Sequence, residues 1–179
     1  MIHNKSVILQ RICIAISIPA CFILQSSVFP HISLGGVSPN LMLLLTVFYA
    51  ILYGENTGIT VGFFCGLLID IFSGNLLGFH ALLQMYLGYA CGQLCGLFYP
   101  EDIRFPLVLL TLSDFTYGFG VYVFSFLLHG RTHFSFYLRS VIAPETFYTA
   151  LVSIVFYSLI LKVDQAFENI RNRSDQTIV

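Results

Sequence analysis

Long apolar runs, punctuated at short intervals by glycine, proline and a few charges, set the pattern of this chain of 179 residues. Lys5 and Arg11 precede an apolar run to Phe29 that is interrupted only by Pro19 and Gln25. A run of roughly 18–20 residues can cross a bilayer, and no small-x-small cleavage site follows it. It predicts a helix over 7–29, kinked or wrapped near Pro19. Pro30 to Pro39, with Gly35 and Gly36, reads as a loop. Pro39-Asn40-Leu41 then opens a helix over 39–53, with proline in a tolerated early-turn position. Gly54-Glu55-Asn56 leaves room only for a tight antiparallel turn before a helix over 57–72. Both of these helices are short for a span, which fits if Glu55 sits at an interface or the bilayer thins. A re-entrant hairpin is the alternative. Beyond Ser73-Gly74-Asn75 the pattern predicts helices over 76–99, 105–128 and 136–161, and a polar tail over 162–179 that frays into solvent. The sum is an all-α protein, with six transmembrane helices in one compact bundle and one domain.

Two of these helices carry small residues at a fixed spacing. Gly58, Gly62, Gly66 and Asp70 recur every fourth residue, as do His80, Gln84, Gly88, Gly92 and Gly96. That spacing drifts only about 40° per step on a helix, so each set forms one slowly winding stripe. Interior glycine costs about 1 kcal/mol against alanine in a soluble helix. In lipid it lets a neighbouring backbone come close. The two faces are therefore expected to pack on each other or on a third helix.

Composition strengthens the membrane reading. Hydrophobic residues make up 57% of the chain and charged residues 9%, against about 25% charged in soluble domains. Mean hydropathy is +0.84. The net charge of −1 and the lack of a basic patch with interleaved aromatics give no argument for nucleic acid. With six spans, Lys5, Arg11, Arg104, Lys162, Arg171 and Arg173 fall on one side, and Arg131 and Arg139 on the other. The positive-inside rule then puts both termini in the cytoplasm. Cys13, Cys21, Cys65, Cys91 and Cys95 lie in apolar runs without a C-x-x-C pair, so neither a disulfide framework nor a zinc site is expected.

Three acids lie within apolar spans: Asp70, Asp114 and Glu145. Each invites an ion or proton path on one reading, and helix capping or helix–helix hydrogen bonding on the other. Arg139 is the natural cation partner for Asp70 or Glu145 on the outer side. His80 and Gln84 are expected to hydrogen-bond across helices. Catalytic patterns are missing. Asp70 follows Leu-Leu-Ile and Asp114 follows Thr-Leu-Ser, not the Gly-x-Gly-Asp of intramembrane aspartyl proteases. Ser73 has Ile71 where a rhomboid-like Gly-x-Ser-Gly needs glycine. His129 and His133 flank Gly130 in a loop, a poor metal helix. No phosphate loop or dinucleotide motif is present, so no catalytic residue, metal or cofactor is expected.

Pro39-Asn40-Leu41, Gly62-x-x-x-Gly66-Leu-Leu-x-Asp70 and the following Leu77-Gly78 resemble the MreD family of rod shape-determining membrane proteins. The length, short first loop and six-span plan agree, so the resemblance covers nearly the whole chain. It implies a non-catalytic subunit of the cell-elongation and peptidoglycan-synthesis machinery in the bacterial inner membrane. The partners it implies are MreC, and through it the actin-like MreB, the RodA glycosyltransferase and a class B penicillin-binding transpeptidase. A homodimer is left open. The resemblance also implies a fold similar to the substrate-binding subunits of energy-coupling-factor transporters. That makes a vitamin-type substrate-binding subunit the main rival, and a proton-coupled carrier using Asp70 and Asp114 a third reading.

Overall fold

The computed structural model describes residues 2–32, 38–73, 76–95, 104–129 and 137–176. The helices are α1 (Ile2–Ile23), α2 (Leu41–Tyr53), α3 (Glu55–Ser73), α4 (Phe79–Gly92), α5 (Arg104–His129) and α6 (Ala143–Gln176). No strand occurs among the described residues. Among the described residues, four stretches are long and apolar enough to cross a membrane: Gln10–Ile32, Glu55–Ser73, Arg104–Phe124 and Ala143–Lys162. The other two helices, α2 and α4, have 13 and 14 residues. At 1.5 Å per residue they reach only about 20 Å, against about 30 Å of hydrocarbon.

The short helix α2 is the centre of the bundle. It is apolar on every face, and all residues from Leu41 to Ile51 are buried. It touches each of the other five helices. A helix hydrophobic all round must be surrounded, and this one is. Tyr49 donates its hydroxyl hydrogen to Ser17 Oγ of α1 at 3.1 Å, and Phe48 packs on Tyr157 of α6 with ring centroids 5.7 Å apart. The outer faces carry large exposed apolar side chains, among them Ile16, Phe64, Phe72, Tyr86, Val108 and Val155. Such a surface suits lipid rather than water.

Several elements depart from the sequence pattern, each for a local reason. The first helical run does not end at Phe29. It passes through a π-helical turn (Leu24–Val28) and a 3₁₀ turn (Phe29–Ile32). A second π-helical turn (Leu138–Ile142) leads into α6. In both places the residue closing the turn, Phe29 or Ala143, donates its N–H to the carbonyl five residues back. In both places proline follows at once, Pro30 or Pro144. A proline ring clashes with the carbonyl four residues back and has no N–H for it, so the preceding turn widens. The fourth helix starts at Phe79 rather than at 76, because Leu77 and Gly78 form a turn with Gly78 at φ 96°, and it closes at Gly92 in a turn at Gln93 and Leu94; 96–99 of the expected span lie outside the described residues. At the other end α6 continues to Gln176 instead of fraying after Leu161. No glycine or proline stands between Glu145 and Val179 to stop it. Gly96, Arg131 and His133 lie outside the described residues.

Candidate functional site

The α3–α4 hairpin is the tightest helix pair in the molecule. The glycine stripes make it so. A Cβ added to Gly58 would overlap the backbone carbonyl of Gly88, and one added to Gly88 would overlap that of Gly58. One on Gly62 would run into Gln84, one on Gly66 into His80 and Ala81, and one on Gly92 into Glu55, all at backbone atoms. Backbone lies on backbone along the whole seam in antiparallel order. Gly88 and Gly92 face Gly58 and Glu55, while Gly62 and Gly66 face Gln84 and Ala81 rather than further glycines. The second helix contributes too: Ala50 and Thr46 of α2 press against Gly58 and Gly88. At the seam's open end Gln93 Nε2 donates to the Glu55 carboxylate.

Asp70 closes the other end. Its side chain is 1% exposed. Oδ2 accepts from the backbone N–H of Gly78 at 2.9 Å and of Ala81 at 3.1 Å, and Oδ1 accepts from His80 N–H at 3.1 Å. The carboxylate thus takes up three of the amides that the start of α4 cannot bond within the helix. It also meets the positive end of the helix dipole. Gly78 supplies the left-handed backbone that brings these amides together, which a Cβ would strain. Arg139 is exposed, and the described residues include no ion pair between it and Asp70. The expected Asp70–Arg139 pair is replaced by three backbone donors, which satisfy the carboxylate without a cation.

The start of α2 is capped in another way. Asn40 is 3% exposed, and its Oδ1 accepts from Leu43 N–H at 3.1 Å. Gln25, carried by the first π-helical turn, accepts from Met42 N–H through Oε1 at 3.1 Å. Thr149 of α6 accepts the Asn40 N–H at 3.1 Å. Pro39, just before Asn40, needs no donor partner because its nitrogen carries no hydrogen. In hydrocarbon no water can satisfy an open amide, so each must find a protein partner. Sequence reading missed Gln25 and Thr149. They lie 17 and 109 residues from the groups they bond, and no local spacing signals either.

The remaining intramembrane polar residues form a second neighbourhood where α4, α5 and α6 meet. Tyr117 OH and His80 Nδ1 are 2.7 Å apart, linking α5 to the first turn of α4. Ser113 Oγ and Cys91 Sγ are 3.2 Å apart. Gln84 is fully buried and Asp114 is 3% exposed. The Gln84 amide, the Asp114 carboxylate and Thr146 Oγ1 make no well-formed hydrogen bond among the described residues, although Asp114 faces Thr146 and Gln84 faces Tyr117. The cross-helix bond of His80 runs to Tyr117, and Gln84 faces the same tyrosine from the next turn of α4. Glu145 is half-buried, within electrostatic reach of Asp114. Among the described residues no group of three His, Cys, Asp or Glu is placed to hold a metal ion.

A family model described as rod shape-determining protein MreD matches residues 6–166. The chain belongs to the MreD family. This membership carries a role in rod shape determination and fits a multi-pass membrane protein with apolar helices. No curated protein and no solved structure matches the chain. On the geometry above, Pro39, Asn40, Asp70 and Gly78 all fall at the capped starts of α2 and α4.

Proposed function

We propose that this protein is a non-catalytic scaffold subunit of the cell-elongation complex and supports peptidoglycan synthesis by holding other membrane proteins in place. The family match over residues 6–166 carries the reading. Its proposed neighbours are MreC and, through it, MreB, RodA and a class B penicillin-binding transpeptidase. In this reading all six helices span the inner membrane, with both termini in the cytoplasm. The same reading gives the bundle the fold of the substrate-binding subunits of energy-coupling-factor transporters. A seam of backbone on backbone suits the role, because close packing has few alternative arrangements and keeps outward helix faces in register.

The test joins stability to partner binding. Leucine in place of Gly62 must push the Gln84 backbone away, and overpacking of this kind costs about 1–3 kcal/mol or more. Gly62→Leu is expected to lower the melting temperature, abolish co-purification with MreC and leave cells round when it is the only copy. Wild-type stability and wild-type co-purification would count against the scaffold. Gln84, Asp114 and Thr146, whose buried polar atoms make no well-formed hydrogen bond among the described residues, favour a rival: a small-molecule binding subunit. Bound vitamin in the purified protein, or nanomolar binding of one, would replace the scaffold reading.

A further inference from the structure

Two connected hollows run between α1 and α3, of about 360 and 390 Å³. Ala15, Ile18 and Phe64 line both, so they form one groove. Its deeper part is apolar, walled by Pro19, Leu67, Leu68 and Ile71. Its mouth adds Arg11, Asn56, Thr57 and Thr60 to apolar Ile14 and Val61, and among the described residues no carboxylate lines either hollow. One cation among hydroxyl and amide groups, above an apolar trough, is complementary to an anionic group on a hydrocarbon chain.

The dimensions select among occupants. From Val61 to Ile71 the apolar wall of α3 rises about 15 Å, half of a ~30 Å hydrocarbon core. Asn56 to Thr60 adds about 6 Å, the depth of a headgroup layer. The groove therefore matches one leaflet of lipid, whereas another protein's spanning helix needs both leaflets. Arg11 and Asn56 lie where the apolar spans Gln10–Ile32 and Glu55–Ser73 begin, so the charged mouth sits at a membrane boundary.

We propose that the α1–α3 groove is a binding site for one anionic phospholipid, its acyl chain along Phe64 and Leu68 and its phosphate-bearing headgroup at Arg11. A single juxtamembrane arginine favours an anionic headgroup by about fivefold. Arg11 and Ala15 are both exposed, so changes there leave the packed interior untouched.

Purified protein in mild detergent, titrated with dioleoyl phosphatidylglycerol or dioleoyl phosphatidylcholine and read by native mass spectrometry, tests this. Wild type is expected to retain phosphatidylglycerol about fivefold better. Arg11→Gln is expected to lose that preference, Arg11→Lys to keep it, and Ala15→Trp, which fills the groove, to lower retention of both lipids. Equal retention by wild type, or an unchanged preference in Arg11→Gln, would overturn the proposal. A benzophenone amino acid at Phe64 gives the cellular readout. Lipid adducts support the site, and a dominant protein adduct assigns the groove to another chain's helix and overturns it.

Discussion

Two helices of nearly equal length, α2 and α4, begin inside the bundle, and their starts are satisfied by opposite means. The α2 start is held by neutral groups from three elements: Gln25, Asn40 and Thr149. The α4 start is held by one carboxylate, Asp70, which bonds three amides. Position explains the difference. All other helices touch α2, so side chains from several directions can reach its first turn. The backbone amides of the α4 start are reached from the helix it folds back on, through a turn at Gly78, while α5 meets that turn at the His80 side chain. A carboxylate has enough acceptor sites to serve three donors at once, and bonds to a charged group are the stronger kind. One cap is distributed and the other concentrated.

The contrast sets an order of sensitivity. Asp70→Ala opens three amides, that of Ala81 buried and those of Gly78 and His80 half-buried, at up to about 1–3 kcal/mol each. Relief from burying the charge returns part of this, and a net loss of about 3 kcal/mol or more is expected, the largest of the series. Thermal melting followed with a thiol-reactive dye reads it, since Cys65 and Cys91 are buried and free. A loss no larger than that of Asn40→Ala would break the comparison. For Asn40→Ala the expectation is about 1–2 kcal/mol, the usual cost of a lost N-cap, measured by the same melt. Gly78→Ala keeps every donor but strains a left-handed residue, at about 1–2 kcal/mol. Chemical denaturation in mixed micelles would show it as a shifted midpoint with unchanged slope. Smallest are Gln25→Leu and Thr149→Val, each opening one amide at about 1 kcal/mol. Their double variant sharpens the contrast: serving one cap, they should depart from additivity, while either combined with Gly78→Ala should add.

The legible parts of the fold are those written at short range. The glycine stripes announce themselves because a four-residue period survives without knowledge of the partner helix, and Asp70 lies only eight residues from Gly78. The central place of α2 is less legible. Its uniform apolarity says that it is surrounded, not by what. The Asp70–Arg139 pair was expected from the scarcity of outer cations, an argument about charge alone. Backbone amides, which composition does not count, satisfy the carboxylate instead. Gln25 looks like an interruption of an apolar run until the π-helical turn ahead of Pro30 puts it beside Met42. The early end of α4 was hidden by apolar residues continuing past Gly92. No short-range pattern could have linked Thr149 to Asn40.

Three amide hydrogen bonds make Asp70 the fastening of the α3–α4 seam. Hydrogen exchange measures this most directly, by comparing amides at the start of α4 (residues 78–82) with those at the start of α2 (residues 40–44) in wild type and in Asp70→Ala. Exchange is expected to rise strongly over 78–82 and to stay unchanged over 40–44. Unaltered protection over 78–82, or equal loss at both starts, would contradict the account.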